Sequence, residues 1–211
     1  MQSTHRPMSA RSGDAARLSV HVIRLTEEHH VQQTVGFIGL GLMGTAMTTN
    51  LITVGYDVLG YDPDPHRLAE HRDRGGRTAD SPGAVAAGAT LLMLSLPTSE
   101  IGTEVCLGPD GIHERAAPGS LIVDTTTGRP DDVVAIGAGL QAAGIRYVDA
   151  TISGSADQTR RRDIVVMVGG DAAAYSDAQP VLQAIARSSH HLGPIGAGAR
   201  TKLIVNLVLV S

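Results

Sequence analysis

Glycine stands at the first, third and sixth places of Gly39-Leu40-Gly41-Leu42-Met43-Gly44, directly after an apolar run and at the start of a helical stretch. In that setting each glycine has a physical task. Gly39 permits a tight turn, Gly41 lets a diphosphate approach the backbone, and Gly44 lets the helix lie close to the strand. The helix start, at Leu42 and Met43, offers N–H groups and the positive end of its dipole to the phosphates. A glycine turn with a purely structural role is the alternative. Asp62 ends the next apolar run, 18 residues past Gly44. A carboxylate there accepts the ribose hydroxyls of NAD and repels the extra phosphate of NADP. A turn aspartate in Asp62-Pro63-Asp64-Pro65 is the other reading, and Arg67 keeps NADP open by offering a contact to a 2′-phosphate.

Near the C-terminus Lys202 and Asn206 are four residues apart, which puts both side chains on one helix face. An ammonium and an amide so placed can converge on one carbonyl oxygen. A lysine near a helix start is ordinarily solvated, but this one sits among Leu203, Ile204, Val205 and Leu207, and burial lowers an amine's pKa. Ser153-Gly154-Ser155 taken alone reads as a turn. Cys106 is the single cysteine and reads as a small apolar core residue rather than a nucleophile, with a reducing, cytoplasmic setting as the default. No metal site is expected.

These residues need a scaffold, and the chain supplies its pattern from Thr34 onward. Short Val/Ile/Leu runs at 35–40, 57–61, 90–96, 120–125, 146–150 and 164–168 read as strands covered on both faces. Helices are predicted from the glycine loop to about Val54, from Ser81-Pro82, from Arg129-Pro130 to Gly144, and over 172–187. Alternation of this kind predicts an α/β fold of the Rossmann type, a doubly wound, mainly parallel sheet with helices on both faces. Residues 1–33 are polar and irregular and read as a disordered extension, with an organelle transit peptide as the minor alternative. No apolar run is long enough to span a membrane. The net charge of −4 argues against a general nucleic-acid binder.

Taken together, residues 36–44 with Met47 and Asn50-Leu51 resemble the opening of the β-hydroxyacid dehydrogenases, and the resemblance continues through Leu96-Pro97, Asp124-Thr125-Thr126-Thr127, 149–155, 167–170 and 196–206. It implies that Leu96, Pro97 and Thr127 line the cofactor cleft, Thr127 doubling as a helix cap before Pro130. Ser153, Gly154 and Ser155 would hold the carboxylate of a small substrate, Lys202 would act as general acid and base, and Asn206 would orient the lysine or the substrate. The implied activity is hydride transfer between NAD, or NADP, and a small β-hydroxy acid or semialdehyde.

Several departures from the family pattern matter. Arg160-Arg161-Arg162-Asp163 replaces small residues and reads as a solvated charged turn rather than an added anion site. Thr151 stands for the usual proline and Ser155 for a second glycine. The Ser-Gly-Ser form resembles the glyoxylate/succinic semialdehyde reductase branch, which often takes NADP and carries an arginine where this chain has Pro63. The family continues into an all-helical domain that covers the lysine helix and forms the dimer. Residues 34–195 are therefore expected to be the nucleotide-binding domain and 196–211 the start of a truncated helical one, a second subunit covering the apolar helix being the alternative. A non-catalytic dinucleotide-binding module is the competing function.

Overall fold

The computed structural model describes residues 33–209; the expected extension at 1–33 lies outside them except for Gln33. The elements in chain order are β1 (Thr34–Ile38), α1 (Leu42–Thr53), β2 (Asp57–Tyr61), α2 (Pro65–Asp73), β3 (Arg77–Thr78), α3 (Pro82–Gly88), β4 (Leu91–Leu94), α4 (Ser99–Leu107), α5 (Ile112–Arg115), β5 (Leu121–Asp124), α6 (Pro130–Ala142), β6 (Arg146–Ser153), α7 (Ala156–Arg160), β7 (Val165–Gly170), α8 (Ala172–Ile185), β8 (Ser188–Gly193) and α9 (Ala197–Leu209). They build one eight-stranded sheet in the order β3-β2-β1-β4-β5-β6-β7-β8. The first six strands run parallel. The short α7 connection returns the chain antiparallel on β6, and β8 then runs parallel to β7. The predicted α/β class and mainly parallel sheet are what the chain forms.

Every central strand is covered on both faces, which is why its sequence is a continuous apolar run. Val35 and Phe37 of β1 and Leu91 and Met93 of β4 pack with Met47, Leu51 and Leu182 on the side of α1 and α8. Their neighbours Ile38, Leu92 and Leu94 point the other way, onto Val85, Cys106 and Ile136 of α3, α4 and α6. Cys106 is buried there, and burial pushes its thiol well above the ordinary range, in keeping with an inert core residue.

Helix starts follow local chemistry. Ser81 Oγ accepts from Ala84 N at 3.0 Å before Pro82 opens α3, and Asp171 Oδ1 accepts from Ala173 N at 2.9 Å at the start of α8. Thr127 is no cap: Arg129 occupies that position before α6 and makes no side-chain cap bond. The charged turn after α7 is what the sequence suggested. Arg160 pairs with Asp157, Arg187 pairs with Asp163 at 2.9 Å, and both pairs are solvent-exposed.

Because β1 lies between β2 and β4, the chain leaves β1 in one direction and returns to its other side for β4. The crevice at the C-terminal ends of β1 and β4 is the place where open α/β sheets take ligands. The last helix, α9, lies against β6, β7 and β8. Its Ala199 is buried, while Leu203, Ile204, Leu207 and Val208 are 48–69% exposed on its outer side. Among the described residues no helix is long and apolar enough to cross a membrane.

Candidate functional site

The glycine loop leaves β1 at the crevice. Gly39 adopts φ +95°, a left-handed conformation, and a Cβ on it would run into the Ser95 carbonyl at the end of β4. A Cβ on Gly44 would run into the Gly39 carbonyl, so both outer glycines are needed for the loop to close on itself. Gly41 is different: the nearest atom to a Cβ there is Arg67 Nη1 at 3.7 Å, so this face of the loop is open. No side chain caps α1 and no acid lies in its first turn. The amides at its start and its positive dipole end therefore face the crevice without an internal anion.

Asp62 stands at the tip of β2 and is only 3% exposed. Its Oδ2 accepts from Leu40 N at 2.8 Å and from Arg67 Nη1 at 3.3 Å, and its Oδ1 accepts from Asp64 N at 3.0 Å. The carboxylate thus braces the glycine loop and the following turn, leaving one Oδ1 lone pair uncommitted in this bonding pattern. Arg67, about half exposed, lies between Asp62 and Gly41.

Two adjoining clefts open here. The first, about 530 Å³, is lined by Gly41, Leu42, Asp62, Arg67, Pro97 and Ile101 among others, a largely apolar slot with a carboxylate and a guanidinium at its edge. The second, about 270 Å³, is lined by Met43, Leu96, Pro97, Thr127, Gly154 and Lys202 among others. Met43, Leu96 and Pro97 form the shared wall. Of the residues singled out in the sequence, Leu40, Gly44, Ser153, Ser155 and Asn206 lie outside both linings. Ser155 instead caps α7, with Oγ accepting from Gln158 N at 3.3 Å and Gln158 Oε1 accepting from Ser155 N at 2.9 Å.

Lys202 is half-buried on α9, and desolvation holds its amine below the ordinary lysine range. No carboxylate pairs with it among the described residues. It is also the only lysine of the 211 residues, every other strongly basic side chain being an arginine. That signal was legible in the sequence, although spacing alone does not draw attention to it.

A set of buried polar groups behind the clefts went unrecognised in the sequence. Thr126 Oγ1 accepts from Leu96 N at 3.1 Å, fixing the Leu96-Pro97 corner, and Asp124 Oδ1 accepts from Thr126 N at 2.9 Å. Tyr147 OH donates to Asp124 Oδ2 at 2.7 Å. Burial pushes the Asp124 carboxyl up from its usual range, offset by these hydrogen bonds. Beside them Asp149, on β6, reaches α9: Oδ1 accepts from Gly196 N at 2.7 Å and Oδ2 from Ala199 N at 2.8 Å. Only the Asp-Thr-Thr-Thr run hinted at the first group, and nothing local points to the second.

Comparison with known proteins agrees with this geometry. A family model described as the NAD binding domain of 6-phosphogluconate dehydrogenase matches residues 34–193, from β1 through β8. The 2-(hydroxymethyl)glutarate dehydrogenase of Eubacterium barkeri is 33% identical over 175 residues, covering 83% of this chain and 58% of that protein. The mitochondrial 3-hydroxyisobutyrate dehydrogenase of Mus musculus is 33% identical over 175 residues, covering 83% of this chain and 52% of its own. A solved Mycobacterium tuberculosis 3-hydroxyisobutyrate dehydrogenase, with L-serine, superposes with a TM-score of 0.80 at 31% identity over 84% of this chain and 60% of the other. The chain thus spans little more than half the length of the curated relatives it matches. The resemblance read in the sequence holds, its relatives being dehydrogenases of small hydroxy acids. With the matched region running through the glycine loop and the whole sheet, the chain belongs to the family of the NAD-binding domain of 6-phosphogluconate dehydrogenase.

Proposed function

We propose that the chain is the catalytic half of an NAD-dependent oxidoreductase acting between a small β-hydroxy acid and its semialdehyde, with Lys202 as general acid and base. The observation that carries this is the second cleft, where Lys202 and Gly154 face the wall formed by Met43, Leu96 and Pro97 beside the glycine loop. The open Gly41 and the uncapped start of α1 suit a diphosphate, and the apolar first cleft suits an adenine. Asp62 offers its remaining lone pair to a ribose hydroxyl and disfavours a 2′-phosphate, while Arg67 leaves NADP a weaker second choice. NAD(H), when bound, supplies or accepts the hydride.

The chain's own residues then have four tasks. Lys202, without a carboxylate partner among the described residues, donates a proton to the carbonyl oxygen in reduction and removes it from the hydroxyl in oxidation. Asn206, one turn further along α9, orients that lysine or the substrate. The backbone at Gly154, with Ser153 and Ser155 beside it, holds the substrate's carboxylate. Thr127, exposed and free of capping duty, takes a polar edge of the cofactor.

Residues 34–195 act in this reading as the nucleotide-binding part and the helix from 196 onward as the start of a helical one. Self-association through the exposed side of α9 would cover Ile204 and Val208, and a mass that rises with concentration is its test. A cytoplasmic setting and the absence of nucleic-acid partners belong to the same proposal.

Lys202→Ala tests the mechanism. Turnover of a small semialdehyde such as glyoxylate or succinic semialdehyde should fall by about 10²-fold or more while NADH affinity changes little. Unchanged turnover would remove lysine from the chemistry. A second reading, dinucleotide binding without turnover, is favoured by the exposed apolar side of the lysine helix. Saturable NADH binding with no reduction of any small semialdehyde would select it.

A further inference from the structure

The helix that carries Lys202 has no capping side chain of its own. Its first residues are Ala197, Gly198, Ala199 and Arg200, preceded by Gly196, and none of the first three offers an oxygen to the bare amides at a helix start. What meets those amides is Asp149, 1% exposed in the middle of β6, with one carboxylate oxygen on Gly196 N and the other on Ala199 N. The fit is close on all sides. A Cβ on Gly169 would lie 2.5 Å from Asp149 Oδ1, and one on Gly198 would lie 2.8 Å from Oδ2 and run into the Met167 carbonyl. A second β6 side chain, Thr151, donates its hydroxyl to Gly198 O at 3.0 Å. So β6 grips the start of α9 at both its donors and a carbonyl, and Lys202 follows three residues after Ala199, under one turn away.

We propose that Asp149 is the positioning residue of the site: its buried carboxylate fixes the start of α9 and thereby sets where the Lys202 amine stands in the cleft beside Gly154 and Thr127. The inference rests on the reading of Lys202 as the proton donor, and it adds the group that holds the donor in place. Burying a carboxylate is costly, and desolvation indeed pushes the Asp149 carboxyl up, with the amides of Gly196 and Ala199 as the leading opposing influence. A neutral residue would fill the space at less cost, so the charge is spent on the two-pronged hold that only a carboxylate gives a helix start.

Because Lys202 is the only lysine, selective ¹⁵N-lysine labelling gives one side-chain amine resonance, and its titration reads this site alone. Desolvation lowers the Lys202 amine. Loss of a nearby negative charge would by itself lower an amine's titration, whereas release of α9 into solvent raises it, so an upward shift reports movement of the helix. In Asp149→Asn the amide cannot accept from both N–H groups; the helix start should loosen and Lys202 should titrate at higher pH, toward ordinary lysine. The Kd for NADH should stay within about twofold, and kcat should fall about 10–100-fold with a smaller change in KM for NADH. Gly198→Ala serves as the second variant. It displaces the helix start while keeping the Asp149 charge and should reproduce the upward shift, even if Asp149→Asn fails to fold. An unshifted Lys202 titration in folded, NADH-binding Asp149→Asn, or in Gly198→Ala should the first variant not fold, would overturn the proposal. Failure of the dehydrogenase reading looks different: no turnover in the parent chain, with the Lys202 titration still responding to both substitutions.

Discussion

Three glycines of one loop answer to three different constraints, and single substitutions separate them. Gly41 has φ −63° and open space where a Cβ would go, so Gly41→Ala should cost about 1 kcal/mol or less as a helix-start change. The added methyl would stand where a diphosphate must approach, and NADH affinity should fall by about tenfold or more. Gly44→Ala drives a methyl into the Gly39 carbonyl and should cost about 3 kcal/mol. Thermal unfolding and NADH titration of the two variants, side by side, check the contrast; equal losses of stability would contradict it. The turn at Gly39 and the close contact at Gly44 were legible in the sequence because the loop is contiguous. For Asp62 the sequence offers a ribose acceptor or a turn aspartate, and its bonds to Leu40 N and Asp64 N show it bracing the loop and the turn. Asp149 was not legible in any role, since the amides it meets lie 47 and 50 residues away in the chain.

At the scale of elements, apolar patterning located the strands buried on both faces and failed where an element buries little. β3 is two residues long, β8 is the polar edge segment Ser188–Gly193, and α2 buries only His71. That histidine carries a measurable consequence. Its ring fills the space left by Gly60 and Gly76, Nε2 lies 3.3 Å from Val58 O, and Nδ1 is buried without a partner among the described residues. Burial first, and the charges of Arg74 and Arg72 in addition, hold its pKa below 6.5, countered by backbone hydrogen bonds. The folded state therefore takes up its proton later than the unfolded chain as pH falls. Stability from the neutral ring is complete above 6.5 and is lost as pH drops from there toward the lowered folded value. Melting temperatures of the parent chain and His71→Leu, taken from about pH 7.5 to about pH 5.5, should diverge with the parent losing more on the acid side. Parallel curves would show that His71 does not stay neutral in the fold.

For the whole molecule, the order β3-β2-β1-β4-β5-β6 puts the strand-end groups of the proposed reaction at one end of one sheet. The glycine loop follows β1, Asp62 ends β2, Leu96-Pro97 follows β4, Thr127 follows β5, and Gly154 follows β6. Lys202 and Asn206 come from elsewhere, on a helix docked across β6, β7 and β8 by Asp149. Alternating apolar runs and helical stretches made the α/β class readable from sequence, whereas the antiparallel turn at β7 and the seating of α9 depend on packing between distant segments. A dinucleotide held at the first βα junction is the premise that unites loop, cleft and lysine. The decisive measurement is titration of the folded 211-residue chain with NADH, followed by the cofactor's own fluorescence and by calorimetry. Saturable one-to-one binding with a Kd on the order of 1–100 µM, weakened in Gly41→Ala, is the predicted result; a folded chain that binds neither NADH nor NADPH would contradict the account.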